Sequence, residues 1–140
     1  MLSNGIFPGD AAGVYLNQFD VIVPTTPEPF RLDIALASLD KLIRLKPKAL
    51  YYSHFGKAHN APERLKTYRQ QLILWAKIAK KGIENKESSE SISRKILQND
   101  RALQKAAEYI KAHPILSVTV FNESTQGVIQ FVEKFGNVPA

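Results

Sequence analysis

Leu50-Tyr51-Tyr52-Ser53-His54-Phe55-Gly56 is the stretch on which the reading of this chain turns. Residues with high strand propensity lead directly into a histidine, and a glycine follows two residues later. A histidine at the C-terminal lip of a buried strand is held rigidly yet points out of the sheet, where a metal ligand or catalytic base has to sit. Ser53 and Gly56 leave room around His54. A core histidine bonded to backbone fits the local sequence equally well.

Outward from this stretch, the periodicity alternates between helix and strand. Leu32, Leu36, Leu39 and Ile43 form one apolar stripe, which predicts a helix from Leu32 to Leu45. Pro47 ends it, because the residue before a proline is pushed out of the α region. Ala49 to Ser53 then reads as a short buried strand, and helix followed by strand is an α/β signature. Downstream, Asn60-Ala61-Pro62-Glu63 is a helix start, with Asn60 as side-chain cap and Glu63 reaching back to it. Leu65, Tyr68, Leu72, Trp75 and Ala79 carry the stripe up to Gly82, read as the glycine just past the helix end. Trp75 is a core anchor. Glu84 to Glu90 reads as a mobile polar loop. Ser91 or Ser93 caps a short helix through Leu97. Asn99 caps the next, with Leu103, Ala106, Ala107 and Ile110 inward and Pro114 beyond its end. In the tail, Val118 to Phe121 has strand propensity, but the apolar spacing onward predicts helix for Gly127 to Phe135 and also allows it for Leu116 to Asn122.

Upstream lies a second lip of the same kind, Ile6-Phe7-Pro8-Gly9-Asp10. Glycine permits a sharp turn at the strand end, which aims the Asp10 carboxylate away from the sheet, where it can hold a cation beside an imidazole. Gly-Asp is equally a common turn pair. Ala11-Ala12-Gly13 supplies small residues where backbones approach closely, before the strand-like Val14-Tyr15-Leu16 and Val21-Ile22-Val23. Pro24, Pro27 and Pro29 predict an extended, solvent-facing connection.

The 140 residues suit one domain with a real core. The absence of cysteine excludes disulfides, thiolate zinc sites and cysteine nucleophiles, and suits a reducing compartment such as the cytoplasm. No apolar run reaches a membrane span, and no signal-peptide pattern is present. The net charge of +6 is uneven: eleven of the nineteen Lys and Arg lie between Lys41 and Lys81, against one acid, Glu63. Such a block is most simply a solvated face. It is also compatible with a nucleic-acid-binding module, because Lys66, Arg69, Lys77 and Lys80 fall near one helix face. Of the other histidines, His59 falls in the loop before a helix start, where it is most simply solvent-exposed and otherwise, with Ser53, stands behind the metal ligands or faces substrate, while His113 at a helix end is structural. Nucleotide loops, a Gly-x-Ser-x-Gly elbow, His-Glu-x-x-His and calcium loops are all absent.

Taken together, Ile6 to Gly13, Ile22 to Phe30 and Leu50 to Gly56 resemble the C-terminal half of a metallo-β-lactamase-fold hydrolase, specifically the group similar to hydroxyacylglutathione hydrolases. The resemblance implies an α/β, helix-rich C-terminal half of an αββα sandwich with a C-terminal helical extension. Residues 1–60 would carry strands and ligand loops and 61–140 the helices of a single domain. It implies that Asp10 bridges two zinc ions and that His54 completes the second metal's shell, in an enzyme acting on an ester or thioester. The family's His-x-His-x-Asp-His signature is absent, and two protein ligands do not hold zinc as three or four do. The chain is then a fragment, a separately encoded half that docks onto an N-terminal partner, or a non-catalytic remnant. The abrupt start at Met1 suggests truncation, and an exposed sheet face suggests self-association.

Overall fold

A single long helix organises the molecule, and the reason lies in its sequence. Leu65, Tyr68, Leu72, Trp75 and Ala79 recur at helical spacing and are all buried, so residues Ala61–Glu84 form a helix, α2, with one continuous inward face. At 1.5 Å per residue its 24 residues span about 36 Å, enough to serve as the axis of a small domain. The computed structural model describes residues 5–6, 13–16, 18–26, 28–52, 56–136 and 138–139.

Among the described residues, five short strands precede this axis. β1 (Gly5–Ile6) pairs in parallel with β4 (Ala49–Tyr52), and β4 pairs antiparallel with β5 (Gly56–His59), giving the order β1-β4-β5. β2 (Val14–Leu16) and β3 (Val21–Val23) form a separate antiparallel hairpin. The helices are α1 (Leu32–Arg44), α2, α3 (Ser89–Asn99), α4 (Arg101–Ala112), the single turn α5 (Pro114–Leu116), a wide π-helical stretch at Ser117–Ser124 and α6 (Thr125–Phe135). α1, α3 and α6 pack against α2, and the β2–β3 hairpin packs on α4 and α2. The described part is therefore α/β and helix-rich, with its core centred on Trp75.

The predicted helices are present, and their ends differ for identifiable reasons. Gly82 lies inside α2, not beyond it. A Cβ there would sit 2.5 Å from Ile92 Cγ1, so the glycine is a packing notch for α3. Asn60 precedes α2 in a left-handed conformation (φ 55°) and makes no side-chain cap bond, since a capping side chain needs an extended backbone. The Glu84-to-Glu90 loop shrinks to residues 85–88, because Ser88, rather than Ser91 or Ser93, caps α3 through its Oγ and the Ser91 amide. Glu87 in that connection is held by Ser91 and Lys95. Asp100, rather than Asn99, caps α4. Inside α4, Leu103, Ala106 and Ile110 are buried while Ala107 is half-buried. Pro114 opens α5 rather than merely following α4. Ala49–Tyr52 forms the expected strand, and Ser53 lies outside the described residues. The strand β5 was not foreseen, because Lys57-Ala58-His59 has no β-branched residue and is held by pairing with β4.

The proline connection is also not wholly solvent-facing. Pro24 and Thr26 are buried, and exposure begins at Glu28; Pro27 lies outside the described residues. Thr26 is fixed from the far end of the chain: its amide donates to Ser124 Oγ at 2.9 Å, and its hydroxyl donates to the Ser124 carbonyl at 2.7 Å. The helix widens where the Ser124 groups turn sideways to Thr26 and Thr125 Oγ1 bonds back to the Phe121 and Asn122 carbonyls. Gly13 has φ +77°, and a Cβ there would lie 2.6 Å from the Val23 carbonyl oxygen, which confirms the close backbone approach read from Ala11-Ala12-Gly13 at its last position.

Candidate functional site

The two strand lips are represented by the strands that lead to them. Asp10, Ser53 and His54 lie outside the described residues. β1 and β4 are parallel neighbours with Gly5 opposite Ala49 and Ile6 opposite Leu50, so the chain leaves Ile6 and Tyr52 in the same direction along one sheet. Tyr52 and Gly56 pair across the hairpin that contains residues 53–55. His59 pairs with Ala49 at the opposite end of that hairpin and is exposed, so the structure places it about 10 Å along the strand from the 53–55 connection. His113 ends α4 with its ring 6.0 Å from that of Tyr109, in keeping with a structural role. Among the described residues, no three His, Asp or Glu side chains come close enough to hold a metal ion.

A well-formed cleft of the described structure lies elsewhere, along the N-terminal half of α2. Its volume is about 630 Å³, within the range of ligand sites. α2 forms one wall with Glu63, Thr67, Gln70 and Leu74. The corner between α3 and α4 forms the other, with Asn99, Asp100 and Arg101. The start of β3 closes one end with Asp20 and Ile22.

Two charged networks set this cleft. At one end, Arg64 Nη2 bonds Asp20 Oδ1, Nη1 reaches the Asp20 carbonyl at 3.4 Å, and Nε donates to the His59 carbonyl. Tyr15 donates its hydroxyl to the same Asp20 Oδ1 at 2.7 Å. Arg64 therefore ties the β2–β3 hairpin and β5 to α2. The bond from Tyr15, then those from Arg64, hold the Asp20 carboxyl below its usual range, while burial and the Asp20 charge push the Tyr15 phenol up. At the other end, Asp100 is buried and fully occupied. Its Oδ2 accepts from Trp75 Nε1 at 2.6 Å and Gln71 Nε2 at 2.8 Å, and its Oδ1 accepts from the Ala102 and Leu103 amides. The acceptor sites of Asp100 are therefore occupied by structural donors.

Sequence reasoning passed over Asp20, Arg64, Asp100 and Arg101. Asp100 had a visible signal, since Asp and Asn are equally good caps and the two are adjacent. Arg64 had none, because its partners are a turn and a strand far apart in sequence. The basic block is resolved as well: nine of its eleven cations are exposed, whereas Arg64 and Arg69 are half-buried and paired with Asp20 and Asp40.

No protein-family model matches the chain. Half of it has a metallo-beta-lactamase fold homologue: it is 32% identical over 73 residues to a metallo-beta-lactamase fold-containing protein of Sulfurisphaera tokodaii, a match covering 52% of this chain and 26% of that protein. The crystal structure of an archaeal metallo-beta-lactamase superfamily protein from Sulfolobus tokodaii aligns over 51% of this chain and 26% of that one, with 32% identity and a TM-score of 0.44. The chain thus spans about a quarter of the relative's length. No helix among the described residues is long and apolar enough to cross a membrane.

Proposed function

We propose that this chain is the C-terminal half of a metal-dependent hydrolase of the metallo-β-lactamase superfamily, akin to the hydroxyacylglutathione-hydrolase-like group, in which Asp10 and His54 are ligands of a dinuclear zinc site acting on an ester or thioester. The observation that supports this reading is the parallel pairing of β1 with β4, so that the two strands preceding Asp10 and His54 in sequence run in the same direction in one sheet. The homology over half of the chain supports it. Two ligands do not make a zinc site, and the described residues offer no further cluster, so the remaining ligands come from an N-terminal half and no hydrolytic step is derived from these residues alone.

The test is metal analysis and thioesterase assay on the chain alone and after mixing with an N-terminal segment carrying His-x-His-x-Asp-His. The chain alone is expected to bind zinc weakly and turn over little. The mixture gains activity, and Asp10→Ala or His54→Ala removes it. Robust turnover by the chain alone, or reconstituted activity indifferent to both substitutions, refutes the reading. The exposed apolar residues Ile34, Leu45, Ile115, Val118 and Phe135 support self-association when that half is missing, which light scattering at high concentration reads out. The nine exposed cations support a second reading, nucleic-acid binding, for which salt-sensitive retention of nonspecific DNA is the diagnostic.

A further inference from the structure

We propose that the cleft along α2 is a docking groove for an extended peptide segment of a partner protein, one carrying a basic and an acidic side chain four residues apart. The proposal is independent of the metal chemistry and uses only described residues.

The groove follows α2 from Asn60 to Leu74, which at 1.5 Å per residue is about 21 Å. An extended chain rises about 3.3 Å per residue, so this length holds about six residues of a strand-like ligand. The walls carry side-chain amides (Asn60, Gln70, Asn99) that can both donate to and accept from a peptide backbone, above apolar surface from Ile22 and Leu74.

Charge then sets the polarity. Asp20 and Arg64 neutralise each other at the β3 end, and Asp100 is buried under its donors. That leaves Glu63 and Arg101, which are both exposed and take part in none of the ion pairs among the described residues. Glu63 lies in the first turn of α2. Arg101 follows Asp100, whose bonds to Gln71 and Trp75 fix its level along the same helix. Eight residues separate Glu63 from Gln71 and twelve separate it from Trp75, so Asp100, which Arg101 follows, lies about 12–18 Å along α2 from Glu63. Positions i and i+4 of a strand lie on one face and are about 13 Å apart. A lysine at one and a glutamate at the other meet Glu63 and Arg101 together. A polyphosphate backbone is disfavoured, because Glu63 and Asp20 line the same groove.

The test uses the 140-residue chain and labelled, end-blocked pentapeptides in fluorescence anisotropy. Lys-Ser-Val-Ser-Glu and its reverse report the two chain directions, and Glu-Ser-Val-Ser-Glu and Lys-Ser-Val-Ser-Lys are the like-charged controls. One of the mixed-charge peptides is expected to bind at least about tenfold more tightly than both controls, and less tightly as salt rises. Glu63→Lys is expected to transfer the preference to the doubly acidic peptide, and Arg101→Glu to the doubly basic one. Both positions are exposed, and circular dichroism confirms that the variants are folded. Absence of saturable binding by either mixed-charge peptide, or affinities unmoved by both reversals, overturns the proposal.

Discussion

Replacing Asp100 with alanine tests the central packing claim, because one carboxylate there serves both α2 and α4. The substitution removes the α4 cap, worth about 0.5–2 kcal/mol. It also leaves Trp75 Nε1 and Gln71 Nε2 buried without an acceptor, at about 1–3 kcal/mol each when unsatisfied. Removing a buried charge returns part of its desolvation penalty, so the net loss is expected at about 3–4 kcal/mol, a large share of a stability of about 5–15 kcal/mol. Asp100→Asn is milder, at about 2 kcal/mol: its oxygen can keep the cap, but its amide then faces the Trp75 donor. Trp75 is the chain's one tryptophan, so its fluorescence during urea denaturation reads the perturbed site directly. Trp75→Phe deletes the donor, and in that background Asp100→Ala is expected to cost about 1–2 kcal/mol less, measured by circular dichroism. A loss within about 0.5 kcal/mol of wild type, or no coupling between the two positions, refutes the network as drawn.

Two further perturbations follow from the geometry. Gly13→Ala meets both a positive φ and the Val23 carbonyl and is expected to cost more than about 2 kcal/mol, whereas Gly82→Ala trades a helix-propensity gain of about 1 kcal/mol against the Ile92 clash and costs less; thermal melts of the two variants rank them. Asp20 has a depressed folded-state pKa, so its contribution is present above the ordinary carboxyl value of 3.8 and fades as pH falls through the lower folded value; Asp20→Asn should therefore be less stable than wild type at neutral pH and converge with it in acid, and a gap that persists in acid contradicts the assignment.

What the sequence disclosed depended on range. The stripes of α1, α2 and α6 were legible because each helix buries one face, whatever it packs against. Gly82 was misjudged because the sequence shows a glycine near a helix end but not the Ile92 side chain that needs its missing Cβ. β5 was invisible because its pairing, not its composition, makes it a strand. The candidate site divides similarly: Asp10 and His54 came from local punctuation and resemblance, whereas the groove arises from Arg64 and Asp100 reaching residues 44 and up to 29 positions away.

The bonds between Thr26 and Ser124 join residues 98 positions apart. For an unstructured chain, closing a loop of that size is slow, and its entropy cost grows with the logarithm of length. Here the intervening chain is mostly helix, which can form locally, with α1, α3 and α6 packed on α2. The distance to be searched then shrinks to what a few packed helices leave open. The Thr26–Ser124 bonds then close a gap already narrowed by packed helices.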